Sequence, residues 1–114
     1  MNDLLDIDQV RKIAMLNDAF RTTFLSGTVC VTAGLHLLGE EFVKAALLAV
    51  REFKTFNEDN DPHGEHDFGT LDLEGRKLFW TIDYFDPTMT AGAEDPANVS
   101  TTRRVLTVML AEEY

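Results

Sequence analysis

The residues of this chain best suited to chemistry lie in one short run, Asp59-Asn-Asp-Pro-His-Gly-Glu-His-Asp-Phe68. It holds four carboxylates and two of the three histidines: Asp59, Asp61, Glu65, Asp67, His63 and His66. Imidazole and carboxylate groups bind transition metals, and a carboxylate beside a histidine can transfer protons. Pro62 and Gly64 are typical of a turn in which Asp and Asn side chains cap backbone amides. The run is therefore either a turn held by its own polar groups or a site for a cation or a proton.

A metal site in this run is the alternative hypothesis, and it would serve a metal-dependent hydrolase-type enzyme. Its ligands would come from His63, His66, Asp59, Asp61 and Asp83. The EF-hand pattern fails because Thr70 stands where the loop needs a bidentate Glu. The zinc-protease motif His-Glu-x-x-His is absent, and no plausible nucleophile accompanies the histidines. We therefore expect no metal, no other cofactor and no catalytic residue.

Negative charge is concentrated in the middle of the chain. The formal net charge is −10, and the stretch from Thr55 to Thr102 holds eleven acids against two bases, Arg76 and Lys77. Ordinary protein surfaces intersperse the two signs. Direct binding to nucleic acid is disfavoured, because neutralising phosphates supplies most of that affinity. The charge favours a partner with a basic surface.

We expect the central acids to form one contact face for such a partner. The face would comprise Glu58, Asp59, Asp61, Glu65, Asp67, Asp83, Asp86, Glu94 and Asp95. The predicted function is a non-enzymatic protein that inhibits or modulates a basic complex handling nucleic acid. A third alternative is a structural or dimerising module whose acids only maintain solubility. No apolar stretch spans a membrane, and the single cysteine, Cys30, fits a reducing cytoplasm.

Periodic apolar residues predict two amphipathic helices, at residues 7–24 and 40–54, with a short buried strand at 28–33 between them. A hairpin follows at 68–73 and 76–85, turning at Glu74-Gly75. That turn places Gly69 opposite Trp80 and His66 opposite Asp83. A histidine facing a carboxylate would pin the open end of the hairpin.

The last segment, residues 101–114, suits a helix or a buried strand, and its helix-forming Met-Leu-Ala-Glu-Glu favours a helix. The chain is then a single α+β domain over residues 1–114. Its elements follow the order α-β-α-β-β-α, with the helices packed on a small, mostly antiparallel sheet.

Four segments carry a resemblance to a known family: Asn17–Arg21, Asp59–Gly69, Phe79–Tyr84 and Thr102–Tyr114. They resemble small bacterial proteins classified as domain of unknown function 3768. The resemblance covers almost the whole chain and implies a bacterial cytoplasmic protein, often encoded on plasmids and other mobile elements. The family has no established activity, so it implies no catalytic role. The mobile-element context favours, by association, a counter-defence protein of the anti-CRISPR or anti-restriction type.

Overall fold

The computed structural model describes the backbone of residues 3–114 and the side chains of residues 7–114, and it confirms the α+β class. Its helices are α1 (Asp3–Thr23), α2 (Ala33–His36) and α3 (Glu40–Glu52). Its strands are β1 (Thr28–Val31), β2 (Phe68–Leu73), β3 (Arg76–Phe85) and β4 (Arg103–Leu110). Short 3₁₀ turns occupy Val99–Thr101 and Ala111–Glu113.

The four strands form one mixed sheet in the order β1-β4-β3-β2. The pairs β2–β3 and β3–β4 are antiparallel, and β1 pairs with β4 in parallel. The prediction of a mostly antiparallel sheet is therefore confirmed. As a result, β1, β2 and β4 begin at the end of the sheet where β3 finishes.

The helices and the sheet share one core. Phe20 of α1 and Val50 of α3 pack with Trp80 and Leu106, which alternate with more exposed neighbours along β3 and β4. The apolar residues of α3 recur at helical spacing, so they form one apolar face. Two acids lie in its first turn, where the helix dipole favours negative charge. Both long helices lie where the sequence predicts them.

The predicted hairpin is confirmed in bounds and register. Glu74 and Gly75 form the turn with positive φ values of 50° and 81°, and Gly69 lies opposite Trp80. A Cβ atom on Gly69 would stand 2.4 Å from Nε1 of the fully buried Trp80. The indole therefore fits only because this position carries no side chain.

The predicted C-terminal helix is wrong, because residues 103–110 form β4. Its burial alternates, with Leu106, Val108 and Leu110 buried and their neighbours partly exposed. β4 is a central strand that pairs with β1 on one side and with β3 on the other. These backbone pairings and the buried face outweigh the helix propensity of the segment.

The segment 28–33 forms a shorter and more exposed strand than predicted. β1 is an edge strand that ends at Val31, and its residues alternate between exposed and partly buried positions. Cys30 is consequently exposed. The four-residue helix α2, which the sequence analysis does not predict, follows directly and buries Leu35.

No helix in the described part of the chain combines the length and the apolar character needed to cross a bilayer.

Candidate functional site

The loop between α3 and β2 is shaped by its own side chains. The Asn57 side chain accepts hydrogen bonds from the backbone N–H groups of Asp59 and Asn60, at 2.9 and 3.0 Å. Asn60 in turn accepts the N–H of Asn57 at 2.9 Å. Gly64 adopts a φ of 74°, which glycine accommodates without strain. The predicted self-stabilised turn is therefore present.

His66 connects this loop to α1. Its Nδ1 atom lies 2.9 Å from Oδ2 of Asp18, and its Nε2 atom lies 3.5 Å from Oδ2 of Asp61. Its ring stacks in parallel on Phe56, with ring centroids 3.9 Å apart. The imidazole is thus held on two edges by carboxylates and on one face by an aromatic ring.

The predicted pairing of His66 with Asp83 is wrong. The backbone of the loop joins the sheet at Asp67, whose carbonyl accepts the N–H of Ile82 at 2.8 Å. His66, with a φ of 57°, turns out of the strand direction and contacts α1 instead. Asp83 pairs with Val105 of β4, and its side chain is exposed.

A buried polar network lies beside His66. The fully buried Asn17 donates from Nδ2 to the carbonyl of Glu65 at 2.9 Å and to the hydroxyl of Tyr84 at 2.7 Å. Its Oδ1 accepts from Nε of Arg104 at 2.7 Å. The Tyr84 hydroxyl donates to the Glu65 carboxylate at 2.8 Å. Burial raises the pKa of Tyr84 well above its usual value, so the phenol stays protonated.

Arg21 anchors the C-terminal half of α1 to the core. It is 2% exposed and donates to the carbonyl of Val50 at 2.8 Å and to the Asp18 carboxylate at 3.1 Å. Its guanidinium also lies over the rings of Phe56 and Trp80, at 5.5 and 5.2 Å from their centroids. Asp18 is therefore shared between Arg21 and His66.

These α1 residues are not among the site residues predicted from the sequence. A signal was present, since Asn17 and Arg21 are polar residues four positions apart on or beside the apolar stripe of a helix. Such residues are expected to find buried partners. Arg104 is buried as well, and it donates hydrogen bonds to Asn17 and to the carbonyl of Pro96.

Four of the predicted acids line one groove, which we call the acidic groove. It has a volume of about 400 Å³ between the loop and the sheet, and Asp59, Asp61, Asp67 and Asp83 border it. His63, Phe68 and Tyr114 complete its walls. Burial, followed by the charge of Glu65, raises the pKa of Asp67. The groove therefore brings several carboxylates together, and one of them, Asp67, is partly removed from water.

Three more predicted acids border a second cavity, of about 450 Å³, in the loop between β3 and β4. They are Asp86, Glu94 and Asp95. The Asp86 carboxylate accepts bonds from the Thr88 hydroxyl at 2.9 Å and from the Thr90 N–H at 3.1 Å, which lower its pKa. Asp95 accepts from Gln9 of α1 at 2.8 Å. Asp86 and Asp95 thus order their loop, whereas Glu94 is exposed.

Both groups lie at the end of the sheet where β3 finishes, and we call them together the acidic end. Among residues 7–114, no Lys or Arg forms an ion pair with any of its seven acids, and the imidazole of His66 lies 3.5 Å from Asp61. Two predicted members differ. Glu65 turns inward to Tyr84, and the exposed Glu58 borders neither cavity.

Four of the ligands of the alternative metal site, Asp59, Asp61, His63 and Asp83, border the acidic groove without forming a coordination group. His63 is exposed, both ring nitrogens of His66 face carboxylates, and Asp83 lies on the sheet. Within the residues that the structure describes, no group of three or more His, Cys, Asp or Glu side chains is placed to hold a metal ion.

The chain matches one family model, described as protein of unknown function DUF3768, over residues 31–113. Neither a curated protein nor a solved structure matches it. The matched region contains the loop, all seven residues of the acidic end and Arg104, whereas Asn17, Asp18 and Arg21 precede it. The chain belongs to the DUF3768 family.

Proposed function

We propose that this protein is a non-enzymatic acidic protein that binds a basic surface of a nucleic-acid-handling protein complex and inhibits or modulates it. One observation supports the proposal above all. Seven carboxylates gather at one end of the sheet, and among residues 7–114 neither Lys nor Arg pairs with them. A field of one sign destabilises a compact protein by self-repulsion, and a cationic partner would relieve that repulsion.

The acidic groove suits the side chain of an arginine or a lysine. Carboxylates of Asp59, Asp67 and Asp83 would accept charge-assisted hydrogen bonds. The rings of Phe68 and Tyr114 offer faces on which a guanidinium or an ammonium can stack. Arginine satisfies both contacts at once, since it is planar and donates in a fork.

The class of partner follows from the charge. A protein surface that binds nucleic acid is basic, so the acidic end would bind to the same surface as the phosphates of the nucleic acid. The family resemblance implies mobile elements, a context in which a counter-defence protein of the anti-CRISPR or anti-restriction type would act. We propose a cytoplasmic location for the same reason.

The test compares two triple variants with the same change in charge. Asp59→Asn, Asp83→Asn and Glu94→Gln remove three exposed acids of the acidic end whose side chains form no hydrogen bond within residues 7–114. Glu40→Gln, Glu41→Gln and Glu52→Gln remove three exposed acids of α3 as the control. A pull-down from a bacterial host identifies a candidate partner, and surface plasmon resonance then gives both rate constants over a series of salt concentrations.

We expect the first triple to slow association by roughly tenfold at low salt, with a smaller change in dissociation, because steering acts mainly on the on-rate. The control triple should change association little. High salt should remove the difference between the two, since it screens exposed charges. Equal effects of the two triples, or binding that is insensitive to salt, would exclude the acidic end as the binding site.

A further inference from the structure

Another cavity lies beside the first residues of β1 and β4, and we call it the arginine cavity. It has a volume of about 500 Å³, which exceeds the volumes of the two cavities of the acidic end. Arg103 and Arg104 border it, and no acid does. The chain as a whole carries 20 acids against 10 lysines and arginines. The sign of the charge at this cavity is therefore opposite to that of the protein.

Arg104 is a buried cation without a carboxylate in contact. It is 5% exposed, and within residues 7–114 no carboxylate oxygen lies within 4.0 Å of its guanidinium. Its Nε and Nη2 atoms donate to two neutral acceptors, Asn17 and the carbonyl of Pro96. The carboxylate of Glu65, which belongs to the same network, instead accepts the hydroxyl of Tyr84. Burying a charge is costly unless the charge is paired, so Arg104 favours an anionic ligand.

One nitrogen of Arg104 is left for such a ligand. Within residues 7–114, Nη1 makes no hydrogen bond, whereas Nε and Nη2 each make one. In the described part of the chain, two side-chain nitrogens are both sealed from solvent and without a partner: Nε of Arg21 and Nε1 of Trp80. Nη1 of Arg104 is not one of them, so solvent reaches it. A guanidinium nitrogen that solvent reaches can donate a strong hydrogen bond to an anion.

The other walls of the arginine cavity suit a small organic molecule. Leu16, Phe20 and Val99 provide apolar surface, and Ser26 and Thr28 provide hydroxyl groups. Ligand sites are typically clefts of about 300–1,000 Å³ in which apolar walls surround a few polar groups. A single inorganic ion would leave most of the arginine cavity unfilled, so its size favours an anionic group attached to an apolar body.

We propose that the arginine cavity binds a small organic anion. A carboxylate or phosphate group of the ligand accepts a hydrogen bond from Nη1 of Arg104, and Arg103 adds a second positive charge. The apolar body of the ligand packs against Leu16 and Phe20. The cavity shares no lining residue with the acidic groove, so this inference goes beyond the proposed function and is tested separately from it.

Three aromatic probes of similar size test the proposal on the full chain: benzoate, phenyl phosphate and the neutral benzyl alcohol. In ¹H–¹⁵N NMR titrations, at least one anion should bind saturably with a dissociation constant in the millimolar range or below. Benzyl alcohol should bind at least about tenfold more weakly, because it cannot accept a bond between opposite charges. The shifts should centre on the N–H groups of Gly27 and Val99 and on the Nε–H of Arg104. The anion that binds more tightly identifies the preferred group, carboxylate or phosphate.

Two exposed positions supply variants that leave the hydrogen bonds of Arg104 in place. Arg103→Gln removes a charge and Val99→Asp introduces a carboxylate, and each should weaken the tighter anion at least about fivefold. Arg76→Gln and Leu37→Asp make matching changes at exposed positions outside the cavity and should alter its affinity less than about twofold. The NMR spectrum of each variant shows whether it is folded.

The absence of saturable binding of either anion in the millimolar range would overturn the proposal. Binding of benzyl alcohol as tight as that of the anions would also overturn it, because the arginines would then have no part in recognition. Shifts centred outside the arginine cavity, or equal effects of the two cavity variants and their controls, would show that the anions bind elsewhere on the protein.

Discussion

Replacement of Asn17 by Ala should be among the most destabilising polar substitutions in this protein. The side chain is fully buried and makes three hydrogen bonds that join α1 to the loop, to β3 and to β4. Tyr84 keeps its bond to Glu65 in the variant, so its hydroxyl remains satisfied. The carbonyl of Glu65 and Nε of Arg104 lose the partner that Asn17 provides.

Each buried group left without a partner costs about 1–3 kcal/mol, and a charged group costs more. Arg104 is 5% exposed and its charge is already disfavoured by burial, which lowers its pKa. We therefore expect Asn17→Ala to reduce the free energy of unfolding by about 3–5 kcal/mol. At roughly 4 °C per kcal/mol, the melting temperature should fall by about 12–20 °C.

Urea denaturation followed by the fluorescence of Trp80 measures this loss directly. The control is Gln9→Ala on the same helix, where an exposed side chain makes one bond to Asp95 and should contribute less than about 0.5 kcal/mol. A double-mutant cycle adds Arg104→Met, which removes the charge that needs Asn17. The double variant should then lose clearly less than the two single losses combined.

A loss below about 1 kcal/mol for Asn17→Ala would refute this prediction, since that is no more than one ordinary hydrogen bond contributes. Strict additivity in the cycle would also refute it, because it would mean that Asn17 and Arg104 do not share an interaction.

Three further substitutions have definite expected outcomes. Gly69→Ala should destabilise by about 1–3 kcal/mol in urea denaturation, because its Cβ meets the buried Trp80, whereas Gly92→Ala has no contact closer than 3.9 Å and should be neutral. Asp67→Asn should raise the melting temperature near neutral pH, because burial raises the pKa of Asp67 and so disfavours its charged form. This gain should vanish below pH 3.8, the ordinary pKa of an aspartate, because the carboxyl is then protonated in both the folded and the unfolded state. Tyr84 has a raised pKa, so the native state loses stability as the pH climbs above about 10, and Tyr84→Phe should lose less over that range in a series of thermal melts.

The hairpin follows from the sequence because its determinants are local. Alternating apolar residues fix the face of each strand, and Glu74-Gly75 fixes the turn, so the register of Gly69 and Trp80 follows. The C-terminal strand does not follow, because its strongest determinants lie elsewhere in the chain. The segment Arg103–Leu110 forms a strand because it pairs with β1 and β3. Helix propensity depends only on the local sequence and contains no information about those pairings.

The candidate site divides in the same way. The acids and their concentration in one segment are visible in the sequence, and four of them do meet in one groove. The buried contacts of Asn17 with Arg104, and of Asp18 with His66, join residues 87 and 48 positions apart. Those contacts depend on how α1 crosses the sheet, which no local pattern encodes.

The buried network and the acidic end are two parts of one arrangement. Repulsion among Asp59, Asp61 and Asp67 favours an open loop, because each carboxylate gains solvation and distance when the loop moves away. Asn17 opposes this movement through the carbonyl of Glu65, and Asp18 opposes it through His66. The side chains of Asp59 and Asp67 line the groove and take no part in these contacts. The network therefore keeps the groove carboxylates close together, so that a cation entering the groove meets a charge distribution that is already ordered.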